Sequence, residues 1–103
     1  MLTRELYEAT RAKALEYLRR ANIAVTGAEE EQIEVAEYGL GELSATGLEL
    51  LVYVNTERCC AKELLLFPGQ TCPEHRHPPV GDDPGKEETF RCRWGLVYLY
   101  VPG

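Results

Sequence analysis

The sequence predicts a mainly β domain, a barrel or a sandwich, preceded by an N-terminal α-helix. Three observations carry this. Apolar residues recur at helical spacing only near the start of the chain; short β-prone stretches bounded by glycine and proline fill the rest; and 103 residues with 45% hydrophobic content suffice for a single core. The division falls at residue 32, with 1–32 read as helix and linker and 33–103 as the β part.

From Thr3 to about Asn22, Leu6, Tyr7, Ala14, Tyr17, Leu18 and Ala21 fall on one helical face and Arg4, Glu8, Arg11 and Arg19 on the other. Thr3 caps the start, Asn22 ends the helix, and the apolar stripe packs on the protein's own core. Glu29, Glu30 and Glu31 follow Gly27 and read as a solvated loop. Beyond residue 32, Ile33 to Ala36 is a short strand, and Gly39, Gly41 and Gly47 interrupt the chain before "LELLVYVNT". "CCAKELLLF" follows, ended by Pro68-Gly69. Then come a strand over 71–77, the loop "PPVGDDPGK", "EETFRCRW" and "LVYLYV".

Seventeen acidic against eleven basic residues give a net charge of −6, a field that repels phosphate backbones and anionic bilayers. Neither nucleic acid nor membrane is an expected partner. The start has no apolar signal core and no segment is long enough to span a bilayer, so a cytoplasmic protein is expected. Its four cysteines are then free thiols, with Cys60, Cys72 and Cys92 read as small buried strand residues. The C-x2-H spacing of Cys72 and His75 does not make a zinc finger, because Cys59 and Cys60 are adjacent and Cys92 stands alone.

His75 and His77 are the only histidines. Side chains two apart on a strand share a face, so both imidazoles can chelate one ion while Arg76 faces away. Glu88 opens the next strand, and a neighbouring strand about 5 Å away brings its carboxylate within reach as a third ligand. Glu87 precedes it directly, on the opposite side of that strand.

Reading outward, Gly69 is followed by five residues, His75, one residue, His77, ten residues, Glu88, six residues and Gly95. This resembles the first motif of the cupin superfamily, G-x5-H-x-H-x(3,4)-E-x6-G, with the loop before the glutamate lengthened. Only Glu88 keeps the six-residue step to Gly95, which selects it over Glu87. More narrowly, "AEYGLG", "LVYVNT", "CAKELLLFPGQTCPEHRHPP" and "GKEETFRCRWGLVYLYVPG" resemble the N-terminal half of the cupin-type D-lyxose ketol-isomerases, over roughly Ile33 to Gly103. The resemblance implies the N-terminal half of a double-stranded β-helix, or jelly-roll, barrel. It also implies a divalent metal, manganese first with iron, cobalt or zinc as alternatives, held by His75, His77, Glu88 and a histidine of the second cupin motif.

No histidine follows His77 to serve that second motif, so the expectation is either a complementary C-terminal half of broadly similar length as partner or a chain cut from a longer enzyme, in an assembly expected to be a dimer. Lys62 alternates with Leu64 and Leu66 on the strand before the histidines, where a lysine among inward-facing apolar residues is costly unless paired or functional. In the resemblance it matches a lysine near the sugar site, as a donor to a substrate oxygen; in the reversed register it is a surface residue, and Glu63 is the candidate on the other face. The resemblance thus implies an aldose–ketose isomerase of the D-lyxose/D-xylulose and D-mannose/D-fructose type, with a sugar as its small-molecule partner. Cupins host many functions, so two rivals stand beside it: a binding module that holds a sugar or small acid without turnover, and an oxygen-using iron enzyme.

Overall fold

Helix α1, Arg4–Arg20, begins where the sequence places it: Thr3 is extended and its Oγ1 accepts the Leu6 N–H at 3.1 Å. Glu5 in the first turn and Arg19 and Arg20 in the last suit the helix dipole. Its end is built by Asn22, left-handed at φ 58°, which lets the Asn22 N–H reach the Arg19 carbonyl at 3.1 Å and the Ile23 N–H reach the Leu18 carbonyl at 3.0 Å. These details come from a computed structural model that describes residues 2–38, 41–73, 81, 82, 85 and 88–100.

The buried stripe of α1 differs from the expected one. Thr10, Ala14 and Leu18 are buried and Leu15 joins the core margin, whereas Leu6 is 40% exposed. At 3.6 residues per turn Leu6 stands roughly 120° around the helix from Leu18, off the face that packs. Arg11 is not on a purely solvated face either, since its guanidinium donates to the Glu30 carbonyl at 2.9 Å. The three glutamates expected in a loop lie on a short helix, α2, Gly27–Glu31. A reciprocal cap nucleates it: Glu29 N–H donates to Thr26 Oγ1 at 3.2 Å, and Thr26 N–H donates to Glu29 Oε1 at 2.9 Å.

Three antiparallel strands follow in the order β1-β2-β3: β1 Glu34–Ala36, β2 Leu48–Asn55 and β3 Cys60–Leu65. Val35 pairs with Glu49, Leu51 with Glu63 and Val52 with Lys62, and a bulge shifts the register between Val52 and Val54. The turn from β2 to β3 closes on Thr56, whose N–H donates to the Cys59 carbonyl at 2.8 Å while its Oγ1 accepts the Cys59 N–H at 3.1 Å.

α1 covers one face of this sheet. Ala14, Leu18, Ile33, Leu51 and Phe67 form the core, with Leu15, Tyr17, Ile23, Val25 and Leu65 packed around them. Tyr17 stacks on Phe67 at 5.2 Å, the Lys13 ammonium lies 4.4 Å from the Phe67 ring centroid, and Tyr7 Oη donates to the Ile33 carbonyl at 2.6 Å. The alternate positions, Leu50, Val52, Lys62 and Leu64, lie on the face turned away from α1.

The chain divides into two units, Met1–Pro73 and Glu74–Gly103. The expected N-terminal helix and antiparallel strands are present, but the first unit is a small α/β structure rather than a mainly β one, since α1 holds as many residues as the three strands together. Among the described residues the sheet stays open at three strands, and no closed barrel is formed. In the second unit, residues 88–100 belong to neither helix nor strand. A strand exists through its ladder partner, and the partner expected for 88–94 is the stretch at His75 and His77, which lies outside the described residues. No described helix is long and apolar enough to cross a membrane.

Leu51 is fully buried at the centre of the core, so Leu51→Ala should lower the unfolding free energy by about 2–5 kcal/mol. A urea titration that shows a reduced midpoint at unchanged slope would register this.

Candidate functional site

The segment that leads into the histidine motif is held at several points. Pro68 and Gly69 make the expected turn: Gly69 takes φ 84°, and the Gln70 N–H closes on the Phe67 carbonyl at 2.9 Å. Thr71 then bridges in parallel to Thr46, with its N–H on the Ala45 carbonyl at 2.8 Å and its own carbonyl accepting the Gly47 N–H at 3.0 Å. Only glycine fits at 47. Its φ is 155°, and a Cβ there would meet the Ala36 carbonyl oxygen and the Leu43 Cδ1, each at 2.7 Å.

Side chains complete this seam. Gln70 Oε1 accepts the Phe67 N–H at 2.8 Å, and its Nε2 donates to the Leu43 carbonyl at 2.7 Å and to Glu49 Oε2 at 3.0 Å. Tyr38 Oη and Cys72 Sγ share a hydrogen bond of 3.3 Å. Tyr38 holds a left-handed backbone at φ 59°, uncommon for a residue with a side chain. Burial, followed by the Cys72 hydrogen bond and charge, pushes its phenol up to about 12.

Glu49 is the residue the sequence reading missed. It is fully buried, and its Oε1 has no hydrogen-bond partner among the described residues. Burial raises its carboxyl above the ordinary range, against smaller opposing effects of the Gln70 hydrogen bond and the Lys13 charge. The signal lay in "LELL": Glu49 has the parity of Leu51, so a core that takes one takes both.

His75, His77 and Glu87 lie outside the described residues. Glu88 is exposed in the second unit. Lys62 is exposed on β3 in the first unit, sharing its sheet face with Leu64 and cross-paired to Val52, while Glu63 stands on the other face and accepts the Tyr53 hydroxyl at 2.8 Å. Among the described residues no three His, Cys, Asp or Glu side chains gather in a metal-holding group. All four cysteines are free thiols; Cys60 and Cys92 are exposed and Cys72 half-buried, where buried strand residues were expected.

Comparison with known proteins finds no matching family model. Three curated proteins are similar along this chain. A D-lyxose/D-mannose isomerase of Thermosediminibacter oceani is 65% identical over 103 residues, which is all of this chain and 57% of that protein. A D-lyxose ketol-isomerase of a Thermofilum species is 64% identical over 103 residues, again 100% of this chain and 57% of the other. A D-lyxose ketol-isomerase of Cohnella laeviribosi is 61% identical over 97 residues, 94% of this chain and 53% of that one. The chain therefore spans about half the length of the curated relatives it matches.

The raised Glu49 carboxyl has a definite sign in stability. The unfolded chain ionises this group near pH 4.5 and the folded chain only above that, so its favourable contribution is complete below pH 4.5 and is lost as pH rises through the folded value. Glu49→Gln should thus gain stability over the parent as pH rises from 4.5, the difference levelling off once the folded carboxyl is ionised. Paired urea titrations across that range would measure it, and a pH-independent difference would contradict the assignment.

Proposed function

We propose that this chain, a homologue of the D-lyxose ketol-isomerases along its length, forms part of an aldose–ketose isomerase that acts on D-lyxose and D-mannose. The observation that carries the reading is the 61–65% identity to three proteins named for that activity. Beside it stands the spacing of His75, His77 and Glu88 in the sequence, which resembles the first cupin motif. Two imidazoles and one carboxylate are a donor set that fits manganese or iron and also binds zinc or cobalt.

The reaction moves a proton between C1 and C2 of the open-chain sugar, and negative charge builds on O1 and O2 as an ene-diolate develops. A divalent cation, when bound by His75, His77 and Glu88, supplies opposite charge where that negative charge grows. Lys62 is assigned to the sugar: as a protonated amine it does not compete for a cation, and its three N–H groups can donate to a substrate oxygen. Its place on the sheet face away from α1, among Leu50, Val52 and Leu64, supports this, because that face is apolar and is left uncovered by the helix. The general base and a fourth, histidine ligand are assigned to further polypeptide of broadly similar length, consistent with the half-length match to the relatives.

The direct test supplies the chain with the remaining segment of one of those relatives, Mn2+ and D-lyxose or D-mannose, and follows ketose. A complex that binds manganese and sugar and releases no ketose would be a binding module instead. Within the active complex, His77→Ala and Glu88→Ala should each strip metal, and Glu87→Ala should leave it in place; metal analysis decides between the two glutamates. Lys62→Met should keep its metal and lose roughly 10²-fold in turnover, as expected when one donor to developing charge is removed.

A further inference from the structure

We infer that Cys59 and Cys60 form a chelating site for trivalent arsenicals, on a hairpin tip to which the isomerase reading assigns no role. No other cysteines of the chain are consecutive, and both are exposed free thiols. Trivalent arsenic is a soft centre that takes thiolate sulfur in preference to nitrogen or oxygen, and two sulfurs of one chain hold it far better than one because the second bond forms within the molecule. Adjacent cysteines offer both sulfurs at the shortest spacing a chain allows.

The hairpin decides whether two neighbouring sulfurs can meet at one atom. Within a strand they would leave on opposite faces. Here β3 begins at Cys60, so Cys59 lies in the turn and escapes that alternation. Cys60 has the parity of Lys62 and Leu64 and stands on the sheet face that α1 leaves uncovered. Thr56 holds the main chain beside the pair: its Oγ1 accepts the Arg58 N–H at 3.3 Å and the Cys59 N–H at 3.1 Å, and its own N–H donates to the Cys59 carbonyl at 2.8 Å. These bonds all use the Cys59 backbone, so its exposed side chain keeps its rotamers and can swing its sulfur toward that of Cys60. The other two cysteines differ on each count. Cys72 is half-buried and bonded to Tyr38 Oη at 3.3 Å, and Cys92 Sγ reaches the Gly95 carbonyl at 3.4 Å.

Phenylarsine oxide is the probe. Both of its arsenic–oxygen linkages give way to two arsenic–sulfur bonds, the two thiol protons leave with the oxygen as one water, and arsenic stays trivalent, so the step needs no oxidant or reductant. Added in equal amount to the reduced 103-residue chain, it should appear by native mass spectrometry as one phenylarsenic group per chain, and the thiols that react with an aromatic disulfide reagent should fall by two. Cys59→Ser and Cys60→Ser should each weaken binding at least about 100-fold, the loss expected when the second attachment is removed. A variant carrying both Cys72→Ser and Cys92→Ser, which keeps the adjacent pair and no other thiol, should bind as the parent does. Excess 2,3-dimercaptopropanol should release the arsenical, and a monothiol at the same concentration should leave it in place. A parent that takes up no arsenical would overturn the inference, as would parent-like binding by Cys59→Ser or Cys60→Ser, a loss of binding in the variant that keeps the pair, or an arsenic that links two chains. None of these outcomes depends on isomerase activity, so the site stands or falls apart from that reading.

Discussion

The alternation of side chains along β2 is the constraint from which the rest of the first unit follows. Burying Leu51 beneath α1 commits every second residue of the strand to the same side, so Glu49 enters the core with it. Across the ladder the same rule places Leu65 at the core margin and sends Lys62 and Leu64 to the far face. A slip of one residue would exchange these sets, with Leu50 and Val52 under the helix and Leu51 outside. The identity of the two faces, and with it the surroundings of Lys62, is thus settled by one leucine.

Placing Glu49 in the core carries a cost that the fold meets only in part. One carboxylate oxygen has the Gln70 amide, the other has no partner among the described residues, and Lys13, held over the Phe67 ring, supplies a positive charge nearby. Such a group is tolerated where it secures something else. Here it secures a glutamine that joins its own turn at Pro68-Gly69 to two segments distant in sequence, the 41–47 loop and β2. Gly47 belongs to the same economy of space, since a side chain at that position would collide with Ala36 and Leu43.

Features governed by local chemistry were legible in the sequence. Thr3 and Asn22 bound α1, "LELLVYVNT" and "CCAKELLLF" hold β2 and β3, and Pro68-Gly69 turns the chain, because caps, β-branched runs and Pro-Gly pairs act within a few residues. The alternation of Lys62 with Leu64 was legible too, though not which face the helix would take. What escaped were cooperative or long-range effects. The Thr26–Glu29 cap turns a run of glutamates into a helix by two reciprocal bonds, and Thr10 and Leu15, rather than Leu6, line the packed face because the helix chooses its angle on the sheet. Of the three residues expected as metal ligands, the spacing was legible in sequence and Glu88 alone falls among the described residues. For 88–94 the expected ladder partner, the stretch at His75 and His77, lies outside the described residues.

The bulge between Val52 and Val54 divides β2 into two parts with separate obligations. Before it, register answers to the core; after it, the Val54–Ala61 and Asn55–Cys60 pairs answer only to the hairpin turn at Thr56. The irregularity works as an expansion joint. Residues 56–59 are all exposed at the tip, so length changes there are absorbed before they reach Glu49 or Lys62. The tip is accordingly the place in this unit where the chain can accept a graft, a label or an evolutionary insertion without exchanging its inside for its outside.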